Sequence, residues 1–168
     1  DGKFLKKGTV VLKLKAKTQS ILAAERSALN FLGLMSGIAT KANLFSKIAK
    51  PYGVKIFSTR KTIAGIRELQ KYALTKGGAN INRMTLDDFF FIKDNHIANT
   101  TSIVDSIAQA KIFYPKKKIT VEVDNIKQLK EIINEKIDVV LLDNMNAKQI
   151  KECLKLVKGK FKCEASGN

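Results

Sequence analysis

The sequence predicts an α/β protein built on parallel strands, and two observations carry that prediction. From residue 54 onward, short β-branched or aromatic runs (54–57, 89–92, 119–123, 139–142 and 161–165) alternate with longer stretches of helical periodicity (63–74, 102–112, 126–133 and 147–156). Strands joined through helices run parallel, as in an open sheet or a barrel. The second observation is that every run ends in polar or charged residues, at the edge where parallel sheets and barrels gather their loops.

The elements follow in order. "GTVVLKLKAKT" alternates Val11, Leu12 and Leu14 with lysines, the pattern of a half-exposed strand. Thr18 or Ser20 is placed to cap a helix carrying Ile21, Leu22, Leu29 and Leu32, and a second helix is expected from about Ser36 to Lys50, where Pro51 cannot continue it. The part before residue 50 therefore reads as the end of another small sheet domain, joined to the α/β unit through two helices. Ser58-Thr59-Arg60-Lys61 follows the first strand, Lys93-Asp94-Asn95-His96 follows "FFFI", and Glu122 and Asp124 lie in and after "ITVEV". Asp143-Asn144 follows "VVLL", and Glu164, Ser166 and Gly167 close the fifth strand. Gly77-Gly78 reads as a helix C-cap and turn. His96, the only histidine, reads as a hydrogen-bonded structural residue.

Composition narrows the function. With 168 residues, 45% hydrophobic and 27% charged, the chain has a folded rather than a disordered balance. No apolar run approaches the roughly 20 residues of a membrane span, and no cationic head followed by an apolar region and a cleavage site appears, so nothing in the sequence reads as a secretory signal. Cys153 and Cys163 have neither CxxC spacing nor a histidine beside them, which argues against a zinc site or a disulfide framework and for a reducing, cytoplasmic setting. The formal charge of +16 and pI near 9.9 suit anionic partners. Yet the lysines are spread along the whole chain, without interleaved aromatics or a helix-turn-helix spacing, so solvated lysine faces explain them better than nucleic-acid binding.

The strand-end residues constrain a ligand. Arg60, Lys61, Arg83 and Lys93 form a cationic set suited to carboxylates and phosphates. Glu122 and Asp143 are acidic, and carboxylates beside bound phosphates point to Mg²⁺ with waters. A substrate bearing carboxylates, with a second bearing magnesium-bound phosphates, fits both halves.

"ERSALNFLGLMSGIAT", "STRKTIAGIRELQKYALTKGGANINR", "FIKDNHI", "VEVDN", "LLDNM" and "EASGN" occur in an order and at spacings that resemble nicotinate-nucleotide pyrophosphorylase, also called quinolinate phosphoribosyltransferase. The resemblance covers essentially the whole chain. It implies a partial α/β barrel of the seven-stranded phosphoribosyltransferase type at residues 31–168, preceded over residues 1–30 by the end of an α+β open-faced sandwich domain and a linking helix. It implies transfer of phosphoribose from phosphoribosyl pyrophosphate to quinolinate with decarboxylation, giving nicotinate mononucleotide, pyrophosphate and carbon dioxide in NAD biosynthesis. It further implies that Arg60, Arg83 and Lys93 hold quinolinate carboxylates, with Asn82 beside them, and that Lys61 meets phosphoribosyl pyrophosphate. Glu122 and Asp143 would support the ribose and Mg²⁺, directly or through water, and Ser166-Gly167 would begin a phosphate loop. Lys61, Lys93, Glu122 and Asp143 stand nearest the chemistry. Arg26 would enter the neighbouring subunit's site in a homodimer or higher oligomer, with no nucleic acid or membrane as partner.

The chain departs from the family pattern in places. Ser58 replaces an Asp, Ala64 a proline and Ala79 a third glycine, and Ile81-Asn82-Arg83 stands for "NHR", so its His is absent. Asn82 can donate a hydrogen bond but cannot become a cation. The resemblance also implies a chain beginning well before Asp1 and continuing past Asn168, so the 168 residues alone are expected to show little or no turnover. Two alternatives stand beside this reading: a sister family of molybdenum-transport type, which usually departs from "KDNH", and a basic nucleic-acid-binding module.

Overall fold

The computed structural model describes residues 2–97 and 100–167, leaving out the side chains of Asp94 and Ile97. Asp94 of "KDNH" as a side chain and Asn168 of "EASGN" therefore lie outside the described residues. The chain divides into two compact units, Asp1–Met84 and Thr85–Asn168.

In the first unit, residues 2–17 form no strand, and "VVLKLKAK" is exposed throughout. The strand expected there is corrected for a physical reason. Alternation prepares a strand, but a strand exists only when another chain segment completes its hydrogen-bond ladder, and neither sheet includes this stretch.

The two expected helices are one: α1 spans Thr18–Ala49, 32 residues. Ser36, read as a helix start, sits mid-helix, where its carbonyl accepts from Thr40 Oγ1 at 2.8 Å. Gly33 and Gly37 weaken a helix by about 1 kcal/mol each relative to Ala but do not end it. The N-cap is Lys17, without a side-chain cap bond, rather than Thr18 or Ser20. Pro51 does end the helix, in a 3₁₀ turn over Lys50–Tyr52 that closes on Gly53 at φ +67°.

β1 (Phe57–Ser58) pairs in parallel with β2 (Asn80–Ile81), with Phe57 opposite Asn80 and Ser58 opposite Ile81. β2 was not expected, since two residues in "GGANINR" are too few to show a period. Between them, α2 (Arg67–Lys76) starts four residues later than its periodicity suggests, because Gly65 at φ +80° turns the chain first. Gly77 caps α2, and Gly78 follows at φ +92°, the expected cap and turn. Gly77 also permits close packing: a Cβ there would lie 2.3 Å from the Ala39 carbonyl oxygen and 2.6 Å from Ala42 Cβ of α1.

The second unit is a four-stranded parallel sheet in the order β3 (Phe90–Ile92), β4 (Ile119–Val123), β5 (Val139–Asp143), β6 (Lys162–Ser166). A short α3 (Asp94–Ile97) follows β3, then α4 (Ile103–Phe113), α5 (Ile126–Ile132) and α6 (Ala147–Val157) connect the strands. Side-chain caps start each longer helix: Ser102 Oγ accepts from the Asp105 amide, Asn125 from that of Gln128, and Asn146 forms a capping box with Gln149. Ile92, Val121, Val123, Val140 and Leu142 of the sheet pack with Ile107, Leu129, Ile132, Cys153 and Val157 in one buried cluster. Each such side chain contributes about 1.5–3 kcal/mol by leaving water. Among the described residues no helix is long and apolar enough to cross a membrane.

Candidate active site

Side chains alternate across a strand, so burying Val121, Val123, Val140 and Leu142 on one face commits their neighbours to the other. Register places Glu122 beside Leu141 and Leu141 beside Glu164, with Asp143 beside Ser166. Lys93, one residue past β3, joins this face: its Nζ lies 2.6 Å from Glu122 Oε2 and 4.8 Å from the centre of the Phe91 ring. The Glu122 side chain is 10% exposed and that of Lys93 39%, so the carboxylate is sheltered while the ammonium still meets solvent. The main-chain N–H of Lys93 donates to His96 Nδ1 at 3.0 Å, the structural role read for that histidine.

Asp143 is held from both sides. Ser166 Oγ donates to its Oδ1, and Asn144 Nδ2 donates to its Oδ2 at 2.7 Å. Asn144 adopts φ +52°, a left-handed conformation that Asn tolerates, and its N–H donates to the Ser166 carbonyl at 2.9 Å. Gly167 passes close by, at φ +145°: a Cβ there would sit 3.0 Å from Asn144 Oδ1. Asn144 was not among the expected site residues, although an Asn directly after a strand-end Asp is a signal of this turn. Burial pushes the Glu164 carboxyl above its ordinary range.

The first unit carries the other cations. Because β1 and β2 are parallel neighbours, Arg60-Lys61 and Asn82-Arg83 both leave from the C-terminal edge of that pair. Arg60 Nε and Ser58 Oγ are buried with no hydrogen-bond partner among the described residues. Lys61 is exposed, in a turn closed by its N–H donating to Thr59 Oγ1 at 3.1 Å. Asn82 and Arg83 are part-buried, and the Arg83 carbonyl accepts from the Lys71 ammonium. Sequence reasoning missed Lys71, since a lysine on an amphipathic helix reads as a solvent residue. Arg26 is exposed on α1.

The expected residues therefore fall into two sets: Arg60, Lys61, Asn82 and Arg83 in one unit, and Lys93, Glu122, Asp143, Ser166 and Gly167 in the other. Among the described residues no three His, Cys, Asp or Glu side chains cluster as a metal site. Glu122 and Asp143, on the neighbouring strands β4 and β5, are carboxylates of the hard-oxygen kind that Mg²⁺ takes alongside phosphate and water.

Two family models match the chain: quinolinate phosphoribosyl transferase, N-terminal domain, over residues 1–36, and C-terminal domain over residues 38–168. A probable nicotinate-nucleotide pyrophosphorylase (carboxylating) of Methanocaldococcus jannaschii is 42% identical over 151 residues, covering 88% of this chain and 53% of that protein. The nicotinate-nucleotide pyrophosphorylase (carboxylating) of Mycobacterium leprae is 40% identical over 144 residues, 86% of this chain and 51% of that protein. The crystal structure of NadC from Streptococcus pyogenes superimposes with a TM-score of 0.93 at 38% identity, covering 100% of this chain and 59% of that one. A NadC deletion mutant does so with a TM-score of 0.95, also at 38% identity, covering 100% of this chain and 60% of that one. The chain spans about half the length of these two curated relatives.

Proposed function

From the premise that this chain belongs to the quinolinate phosphoribosyl transferase family, we propose that it provides most of an active site transferring phosphoribose from phosphoribosyl pyrophosphate to quinolinate with decarboxylation. The products are nicotinate mononucleotide, pyrophosphate and carbon dioxide. The observation that carries the reading is Arg60: a guanidinium whose Nε is buried and unpartnered, one strand from Arg83. A buried donor left unmade costs about 1–3 kcal/mol, a cost that a bound carboxylate relieves.

In this reading Arg60 and Arg83 of the first unit are cations for substrate carboxylate, with Asn82 as a neutral donor, and Lys93 of the second unit is a further cation of the same kind. Lys61, exposed beside Arg60, takes a phosphate of the second substrate. Lys93 enters the reaction already paired with Glu122. When a substrate carboxylate draws the ammonium away, the Glu122 charge becomes available to stabilise a ribose C1 turning cationic as its bond to pyrophosphate breaks. The electron pair of that bond leaves with pyrophosphate, and the pyridine nitrogen forms the new bond to C1. The ring, now cationic, accepts the electron pair released when the adjacent carboxylate departs as carbon dioxide, and a solvent proton takes its place. Positioning and charge neutralisation suffice, without a covalent nucleophile.

Asp143, braced by Ser166 and Asn144, would hold Mg²⁺ together with Glu122. Bound there, the ion would neutralise charge on the departing pyrophosphate. Ser166 and Gly167 would open the phosphate-binding loop. Arg26 would reach the site of a second copy of the chain, and the exposed Leu22, Leu29, Phe45 and Ile48 of α1 support such a partner. A cytoplasmic setting belongs to the same reading.

Calorimetric titration of quinolinate into the protein at its full natural length, repeated with Arg83→Ala, tests the proposal. Binding that the substitution abolishes is the expected result. A folded wild-type protein that does not bind quinolinate would sink the assignment.

A further inference from the structure

α2 opens with two cations one turn apart, Arg67 and Lys71, which share a helical face. Lys71 is 2% exposed, a rare state for a lysine unless its ammonium is partnered. Its Nζ donates to the carbonyl of Arg83. One turn earlier, Arg67 Nη1 donates to the carbonyl of Met84 at 3.2 Å, and its Nε donates to Thr62 Oγ1 at 3.1 Å. Thr62 Oγ1 passes the connection on, donating to the Arg60 carbonyl at 3.4 Å. Between the two cations, Gln70 Oε1 accepts from the Ile63 N–H at 2.8 Å. Consecutive carbonyls after β2, and the turn after β1, are thereby tied to the start of a single helix.

We infer that Arg67 and Lys71 are positioning residues: through the main chain at Arg60–Thr62 and Arg83–Met84 they orient the two guanidinium groups so that both meet the carboxylates of one pyridine dicarboxylate. The inference rests on the functional reading above for its ligand. Its physical content is directional. A hydrogen bond to the Arg83 carbonyl holds the peptide plane after Arg83, and one to the Met84 carbonyl holds the next, so the backbone from which the Arg83 side chain springs has little freedom. A lysine placed only for solubility would stay in water, and an apolar residue would fill the same space without immobilising two strand-end loops.

The test is steady-state kinetics on the full natural length protein with Lys71→Met, which keeps the volume and removes the donor. The quinolinate KM is expected to rise about tenfold, the scale of a displaced binding group, while the phosphoribosyl pyrophosphate KM stays within about twofold. Lys76→Met, at the solvent end of the same helix, is expected to leave both unchanged. In an Arg83→Lys background, Lys71→Met should add less than about a twofold further loss, because residues acting through one another are not additive. A folded Lys71→Met protein with wild-type quinolinate KM, an equal rise in both KM values, or full additivity with Arg83→Lys overturns the inference. Should Lys71→Met not fold, Arg67→Lys carries the test: it keeps the charge but cannot make both bonds, and unchanged quinolinate affinity in that variant is equally fatal. Wild-type protein without quinolinate affinity instead removes the functional reading, and this inference with it.

Discussion

The Lys93 ammonium and the Glu122 carboxylate, 29 residues apart in the chain, meet at 2.6 Å on the face of the sheet opposite its apolar core. Parallel pairing of β3 with β4 makes the contact, and in the proposed function it sets a substrate-binding cation against a carboxylate for the reaction. Glu122→Gln removes the competitor for Lys93 without removing the cation. Quinolinate affinity is expected to hold or improve by calorimetry, while kcat falls by about two orders of magnitude, the usual scale for losing a preorganised charge. A parallel loss of affinity and kcat would refute this division of roles.

Arg60 carries a stability cost in the unliganded protein. Its Nε is buried without a partner among the described residues, so Arg60→Met is expected to leave the melting temperature of the free protein unchanged or higher. Quinolinate should raise the melting temperature of the wild type, by mass action on the folded state, and leave that of Arg60→Met unmoved. Equal ligand-induced shifts in the two proteins would count against Arg60 as a binding group.

Two glycine substitutions separate packing from propensity. Gly77→Ala pushes a Cβ to 2.3 Å from the Ala39 carbonyl oxygen, and overpacking of this kind costs about 1–3 kcal/mol. Gly37, within α1, has nothing within 4 Å of a Cβ, so Gly37→Ala is expected to stabilise by up to about 1 kcal/mol through helix propensity. Urea denaturation midpoints moving in opposite directions are the outcome to look for.

Glu164 supplies a pH dependence. Burial raises its folded-state pKa, so the folded protein binds this proton more tightly than the unfolded chain does. The group's stabilising contribution is complete below the ordinary carboxylate pKa and is lost as pH rises through the raised value. Glu164→Gln is therefore expected to match the wild type at acid pH and to exceed its stability at neutral pH. Denaturation midpoints across that range check the sign; a gap that widens toward acid would contradict it.

Local patterning determined most of the alternation of strands and helices, because β3, β4 and β5 lie in β-branched or aromatic runs and α2, α4, α5 and α6 repeat their apolar residues at a helical period. It also placed Lys93, Glu122, Asp143 and Ser166 at the C-terminal ends of β3, β4, β5 and β6, since polar residues that end an apolar run must sit where a strand leaves the sheet. The His96 contact and the Gly77-Gly78 cap were legible for the same local reason. What tertiary structure decided was everything that depends on a distant partner. "VVLKLKAK" has a strand's alternation and forms none, whereas Asn80-Ile81 has no alternation and becomes β2 by hydrogen bonding across to β1. Ser36 looked like a helix start and lies inside α1. Lys71 and Asn144 matter through the carbonyl and the carboxylate they hold. A sequence carries periodicity over a few residues, but a hydrogen bond between residues far apart in the chain exists only after the fold has closed the loop between them.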